Sequence, residues 1–120
     1  MANAQPTLDQ IQEWLAEAEA AARAAVDAAY AANGNTDWDA CGFGWVNIYR
    51  FNGKRLDGRT KMAKTLKAAG VSQDYTREFS VWNPGGYTGQ SISIKEAAAR
   101  AYAQVLNSKG FDAYAGSRLD

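Results

Sequence analysis

Hydrophobic residues in the first third of the chain recur with the period of a long amphipathic helix. They follow one another at three- and four-residue steps from Leu8 to Ala29, as one face of an α-helix requires. Thr7 and Gln10 form a T-x-x-Q capping box, and Asn33 with the glycine after it is a typical stop signal. The pattern predicts one helix over residues 7–33, roughly 38 Å long at about 1.5 Å per residue.

The next hydrophobic pattern alternates and predicts a strand from Cys41 to Phe51. One face of this strand is aromatic with a single amide, Asn47, whereas the other face begins with Gly42 and Gly44. Glycine inside a strand indicates close approach by a helix, another backbone or a ligand. We therefore expect the two faces of this strand to have different neighbours.

Shorter patterns predict the remaining elements, and no linker or internal repeat divides the chain. They are a helix over 60–69, a strand over 75–82, a turn at 83–86, a helix from the Ser93/Glu96 S-x-x-E box to about Ser108, and a strand over 111–115. The prediction is a single domain over residues 1–120, with the 7–33 helix followed by an α/β core over 41–120. The predicted fold class is α+β, or small α/β, with a three- or four-stranded sheet and two further helices.

Charge is unevenly distributed although 13 basic and 13 acidic side chains give a formal net charge of zero. Residues 1–40 hold seven acids and one base, whereas residues 41–70 hold seven bases and one acid. Zero net charge argues against a nucleic-acid partner. The polarised distribution favours a partner of opposite charge, including a second copy of the chain. With the long, alanine-rich helix, it predicts a homo-oligomer, in the simplest case a homodimer.

Several kinds of chemistry are excluded by composition. The chain has no histidine and one cysteine, so imidazole bases, His-containing zinc sites, internal disulfides and Cys-x-x-Cys pairs are absent. No carboxylate pair has a compelling spacing for acid–base catalysis; Asp37 and Asp39 are typical of a cap or turn. We expect no catalytic residue, metal or cofactor. Without an apolar run of about 18 residues or a secretory signal pattern, we expect a cytoplasmic protein with no membrane contact.

The loop over residues 82–91 has the composition of a binding site for a planar, polar ligand such as a nucleotide. Its aromatic rings can stack, its amides can read polar edges, and its glycine N–H groups can approach phosphate. The helix that follows offers its N-terminus as a further anion site. An alternative interpretation is a Pro-Gly hairpin whose aromatic side chains lie in the core.

The predicted ligand-binding residues divide by role into stacking, edge-reading and phosphate-neutralising groups. They are Trp45, Trp82 and Tyr87 for stacking, Asn47, Asn83 and Gln90 for polar edges, and Arg100 and Arg118 for phosphate, with Lys95 as a further cation. Arg23 is the single basic residue in the first 40. If long helices of two subunits cross, Arg23 is predicted to reach the neighbouring pocket.

Four motifs resemble those of a family of small phage and prophage proteins of unassigned function. They are Cys-Gly-Phe-Gly-Trp-Val-Asn at 41–47, Trp-Asn-Pro at 82–84, Lys-Glu-Ala-Ala-Ala-Arg-Ala at 95–101 and Ser-Arg-Leu-Asp at 117–120. The resemblance covers most of residues 38–120. In outline the architecture is also similar to the Thoeris anti-defence sponges, which hold cyclic ADP-ribose signals in pockets at a dimer interface.

This resemblance implies a non-catalytic phage protein that sequesters a nucleotide-derived immune signal in the host cytoplasm, at an oligomer interface. No ligand-binding residue is carried over from those proteins position by position. The alternative function is that of a phage accessory, host-takeover or virion-associated protein that acts by protein–protein contact.

Overall fold

The predicted α+β class is confirmed in the computed structural model, which describes residues 5–120; residues 1–4 of the predicted domain lie outside this range. A long N-terminal helix precedes an antiparallel sheet and two further helices, but the sheet has five strands rather than three or four. The elements are α1 Leu8–Ala32, β1 Gly42–Phe51, β2 Lys54–Arg55, α2 Lys61–Ala68, β3 Ser72–Gln73, β4 Phe79–Trp82, α3 Ile92–Ser108 and β5 Phe111–Leu119.

Helix α1 begins as its sequence predicts. The Thr7 hydroxyl accepts a hydrogen bond from the Gln10 backbone N–H at 3.1 Å, and the Gln10 side chain accepts one from the Thr7 N–H at 2.9 Å. This reciprocal capping satisfies two of the donors that a helix start leaves unpaired. The buried residues of α1 are Ile11, Ala18 and Ala22. Alanine at two of these positions lets α1 and α3 pack closely.

Strand β1 is the centre of the sheet, and all pairings are antiparallel. Strand β5 pairs with one edge of β1 over almost its whole length. Strands β4 and β2 pair with the other edge of β1, and β3 pairs with β4. Opposite Trp45 lie Trp82 on β4 and Gly116 on β5. These pairings place three strands side by side at the level of Trp45.

One face of the sheet supports the hydrophobic core. Val46, Ile48 and Phe79 are almost fully buried there, and α3 contacts β1, β5 and α1. Five buried alanines of α1 and α3 add little apolar area but allow close contact: Ala18, Ala22, Ala98, Ala99 and Ala103. Helix α2 contributes Met62, Ala63 and Leu66 to the same core.

Two glycines of β1 allow α3 to approach the strand directly. A Cβ atom on Gly44 would lie 2.9 Å from the Lys95 carbonyl oxygen, and one on Gly42 would lie 2.5 Å from Ile92 Cδ1. Such distances are shorter than van der Waals contact, so no other residue fits without displacing the helix or its side chains. The close approach predicted from the two glycines is therefore an approach by a helix.

The predicted strand over residues 75–82 is wrong in its first half. Only Phe79–Trp82 is a strand, and the chain before it turns around the Asp74 carboxylate. Asp74 Oδ1 accepts hydrogen bonds from the backbone N–H groups of Thr76 at 2.8 Å and Glu78 at 3.1 Å. This aspartate turn competes with the ladder and shortens the strand.

The start of α3 and the end of β5 also differ from the prediction. Ser91, not Ser93, caps α3, and its hydroxyl accepts the Ile94 N–H at 3.4 Å. Glu96 accepts a hydrogen bond from the Ser117 hydroxyl rather than completing a capping box. Residues 116–119, expected to follow the last strand, continue β5 because β1 supplies a pairing partner as far as Gly42.

We expect Gly44→Ala to lower the free energy of unfolding by about 1–3 kcal/mol, because the added methyl group overpacks the contact with Lys95. Gly58→Ala is the matched control, since its Cβ would meet only the flexible Lys67 Nζ at 3.5 Å. Urea unfolding at equilibrium measures both. Equal stability of the two variants would contradict a close helix–strand contact at Gly44.

Candidate ligand-binding site

The sheet face opposite α3 carries a group of aromatic side chains in contact with one another. The rings of Trp45 and Trp82 are parallel within 6°, with centroids 5.9 Å apart. The ring centroid of Phe43 lies 5.6 Å from that of Trp82, and the centroids of Tyr49 and Tyr114 are 5.5 Å apart. Trp82 is 60% exposed, so the group presents a broad ring surface to solvent.

Trp45 is fixed in place by a chain of hydrogen bonds. Its Nε1 donates to Asn47 Oδ1 at 3.0 Å, and Asn47 Nδ2 donates to Asp74 Oδ2 at 3.3 Å. The indole lies over Gly116, where a Cβ would come within 2.5 Å of Nε1. Each end of the Asn47 amide makes a hydrogen bond within the chain, so this residue positions Trp45, and its predicted contact with the polar edge of a ligand stays a prediction.

A groove of about 440 Å³ runs along this face and is called the sheet groove. Arg118 supplies its cation, and the guanidinium carbon lies 5.4 Å from the centre of the Phe43 ring. Asp74 supplies a carboxylate, whose pKa is lowered mainly by the hydrogen bond from the Thr76 hydroxyl. The lining comprises Trp45, Asn47, Tyr49, Asp74, Tyr75, Thr76, Glu78, Ser80, Trp82 and Arg118.

A second concavity of about 350 Å³, called the loop hollow, lies between the 82–90 loop, β1 and α3. Asn83 adopts a left-handed backbone with φ of 49°, and its Nδ2 donates to the Tyr87 carbonyl at 3.0 Å. Asn83 Oδ1 is buried and has no hydrogen-bond partner among the described residues. The lining comprises Phe43, Gly44, Trp82, Asn83, Tyr87, Thr88, Gly89, Gln90 and Lys95.

Asp37 holds the end of the 82–90 loop in place through hydrogen bonds. This carboxylate accepts hydrogen bonds from the Tyr87 hydroxyl and from the backbone N–H groups of Gln90 at 2.8 Å and Ser91 at 2.9 Å. The Tyr87 hydrogen bond is the main cause that lowers the pKa of Asp37. Partial burial, then the adjacent carboxylate, raises the pKa of Tyr87 to about 12.

Asp39 occupies the N-terminus of α3 beside Asp37. It accepts the Ser91 hydroxyl at 3.0 Å and the Ser93 backbone N–H at 3.2 Å. Hydrogen bonds from Ser93, Ala40 and Ser91 lower the pKa of Asp39 to about 2. Asp39 binds an N–H of the first turn of α3, and Asp37 binds the two residues immediately before the helix, as the cap or turn interpretation predicted. The chain's own carboxylates thus occupy the helix end that was predicted to bind an anion.

The predicted ligand-binding residues divide between the two concavities and the outer surface. Trp45, Asn47, Trp82 and Arg118 line the sheet groove, and Asn83, Tyr87 and Gln90 join Trp82 in the loop hollow.

Arg23 and Arg100 border neither concavity. Arg23 pairs with Glu19 at 3.2 Å on the exposed side of α1, and its contact with a neighbouring subunit stays a prediction. Arg100 is exposed on α3. The structure therefore does not bring Arg100 to the site for which it was predicted.

Sequence reasoning missed the contributions of Phe43, Tyr49 and Asp74 to the site. The alternating pattern of β1 placed the first two on the face of Trp45, which was a usable signal. Asp74 carried no such signal, because it reaches Asn47 from a turn 27 residues away.

Comparisons of the chain with protein-family models, curated proteins and solved structures give no match. No helix within residues 5–120 is long and apolar enough to cross a membrane. In the same part of the chain, no three potential ligands among Cys, Asp and Glu are grouped to hold a metal ion.

Acid should destabilise the contact between the 37–39 loop and α3. The pKa of Asp39 falls from 3.8 to about 2 on folding, so its stabilising effect is present above the unfolded pKa and is lost as pH falls toward 2. We expect the melting temperature of Asp39→Asn to depend less on pH between about 5 and 2 than that of the wild type. Scanning calorimetry across this range measures it, and parallel profiles would contradict the assignment.

Proposed function

We propose that the protein binds a nucleotide-derived ligand where the sheet groove meets the loop hollow, and retains it without chemical conversion. The observation that carries this proposal is the position of Trp82. Its indole lines both concavities and is 60% exposed. A planar base stacked on this ring would cover the exposed surface and leave the rest of the ligand room to enter either concavity.

Stacking is favoured because Trp82 is already held parallel to Trp45 and in contact with Phe43. A supported ring loses little conformational freedom when a ligand stacks on it, which reduces the entropic cost of binding. Base–aromatic stacking contributes about 1–3 kcal/mol per base. The aromatic face therefore offers enough binding energy for a small, planar ligand.

Arg118 supports an anionic component in the same ligand. Its guanidinium lines the sheet groove, and among the described residues no carboxylate oxygen lies within 4.0 Å of its nitrogen atoms. A guanidinium without an ion-pair partner can bind a phosphate through two parallel hydrogen bonds. A base on Trp82 and a phosphate near Arg118 together describe a nucleotide.

The charges around the site support retention rather than catalysis. The pKa values of Asp37, Asp39 and Asp74 are all lowered, and that of Tyr87 is raised to about 12. These groups keep one protonation state around neutral pH. General acid–base catalysis instead favours a group whose pKa lies close to the working pH.

The resemblance to Thoeris anti-defence sponges narrows the ligand to signals of the cyclic ADP-ribose type. Under this proposal the protein is a phage anti-defence protein that lowers the free concentration of such a signal in the host cytoplasm. An oligomer in which neighbouring subunits complete the pocket belongs to the same proposal. Cyclic ADP-ribose isomers are therefore the first ligands to test.

Replacing Trp82 should weaken ligand binding strongly. We expect Trp82→Ala to reduce affinity for a cyclic ADP-ribose isomer by about 5- to 150-fold, the equivalent of about 1–3 kcal/mol of stacking. Trp38→Ala is the matched control, because Trp38 is 89% exposed and borders neither concavity. Isothermal titration calorimetry measures both affinities, and chromatography of the recovered ligand shows whether it is unchanged.

Three results would contradict the proposal. They are absence of binding by folded wild-type protein to any cyclic ADP-ribose isomer or nucleotide, equal effects of the two tryptophan variants, and conversion of the ligand during incubation.

A second candidate function is contact with another protein through the aromatic sheet face. Tyr75 is 99% exposed and Tyr114 is 56% exposed beside the ligand-binding rings, an apolar surface of the kind found at protein interfaces. This function predicts a pull-down partner that is lost in Tyr114→Ala, together with indifference to nucleotides. The calorimetric experiment therefore separates the two candidates.

A further inference from the structure

We infer that the loop hollow is a phosphate subsite in which the Lys95 ammonium binds the anionic group of the ligand. This inference rests on the proposed function for the nature of the whole ligand, but the subsite itself is argued from its own contacts. It assigns a phosphate group of the ligand to the loop hollow, in addition to the anionic group that Arg118 would bind in the sheet groove.

Lys95 is a buried cation with unused hydrogen-bonding capacity. The residue is only 9% exposed, and its Nζ donates to the Gly42 carbonyl oxygen at 2.9 Å. An ammonium group has three N–H donors, and the described contacts occupy one. Nζ also lies 5.6 Å from the centre of the Phe43 ring, which helps to fix its position at the wall of the hollow.

The charge of Lys95 lacks an ion-pair partner. Within residues 5–120, no carboxylate oxygen lies within 4.0 Å of the Lys95 Nζ atom. The charge of Lys95 contributes to the lowered pKa of Asp37, but the Asp37 carboxylate accepts its hydrogen bonds from Tyr87, Gln90 and Ser91 and not from Lys95. A buried charge is costly unless paired, so an anion in the hollow would be bound favourably.

Asn83 adds a second unsatisfied group, which is a hydrogen-bond acceptor rather than a donor. Its Oδ1 is buried without a hydrogen-bond partner, although the amide nitrogen is engaged by the Tyr87 carbonyl. A buried acceptor without a hydrogen bond is destabilising, and a donor on the ligand would remove that penalty. A ribose hydroxyl next to a phosphate supplies a donor and an anion at neighbouring positions.

The size of the hollow suits this part of a nucleotide. Its volume of about 350 Å³ lies at the lower end of the range of small-molecule sites, and Trp82 forms the wall that it shares with the sheet groove. A ligand whose base stacks on Trp82 can therefore place its phosphate on Lys95 without leaving the protein surface.

Inorganic pyrophosphate is the probe that tests the subsite separately from base stacking. We expect wild-type protein to bind it, and Lys95→Met, which keeps the apolar stem, to bind it about 10- to 100-fold more weakly through loss of charge-assisted hydrogen bonds. Lys64→Met is the matched control, because Lys64 is exposed on α2 and borders neither concavity. Calorimetry measures affinity, and circular dichroism checks the fold of each variant.

A second measurement uses unmodified protein, in case Lys95→Met does not fold. The ¹H–¹⁵N signal of the Lys95 side-chain ammonium is expected to shift on addition of pyrophosphate, while those of exposed lysines such as Lys64 do not. An unmoved Lys95 signal, or equal affinity of the Lys95→Met and Lys64→Met variants for pyrophosphate, would overturn the inference.

Comparing pyrophosphate with nucleotides as ligands distinguishes failure of this inference from failure of the proposed function. Lys95-dependent binding of pyrophosphate by protein that binds no cyclic ADP-ribose isomer or nucleotide supports the phosphate subsite and contradicts the proposed function. Nucleotide binding that depends on Trp82 and is unchanged in Lys95→Met supports the proposed function and overturns the subsite.

Discussion

The close contact between α3 and β1 is the constraint on which the rest of the structure depends. Gly44 lets the α3 backbone at Lys95 lie directly against β1, and Gly42 leaves room for the Ile92 side chain, so α3 covers this side of the strand at close range. The same contact encloses the Lys95 side chain and directs its ammonium to the Gly42 carbonyl. The buried alanines of α1 and α3 let the two helices pack closely, and larger side chains such as Val46, Ile48 and Phe79 fill the core against the sheet.

This arrangement leaves the aromatic side chains on the opposite face of the sheet outside the core. Side chains alternate along a strand, and Gly42, Gly44, Val46 and Ile48 of β1 face α3 and the core. The residues that alternate with them therefore lie on the opposite face. Trp45 is fixed there by Asn47 and Asp74, and Trp82 stacks on it from β4. One face of β1 therefore packs against the core, and the other face carries the candidate site. Trp82 lies where the two concavities meet.

The sequence was informative at two places where the decisive contact was local. The Thr7 capping box and the alternating faces of β1 depend on near neighbours, and both were predictable. The Asp37 contacts with Gln90 and Ser91 join residues more than 50 positions apart, and no sequence pattern in either segment predicts them. Lys95 and Arg100 are about 140° apart around the helix axis, so the sequence could have shown that they do not face the same pocket. The burial of Lys95 depends on glycines in another element and was not predictable.

Occupation of the Trp82 junction is tested most directly by the four indole N–H signals in a ¹H–¹⁵N spectrum, titrated with a cyclic ADP-ribose isomer. Trp45 and Trp82 border the sheet groove, whereas Trp14 packs on Phe111 and Trp38 projects into solvent, so the protein carries its own controls. Saturable shifts of the Trp82 and Trp45 signals, with those of Trp14 and Trp38 unmoved, are the predicted result. Absence of any shift, or shifts confined to Trp14 or Trp38, would contradict a ligand site at Trp82.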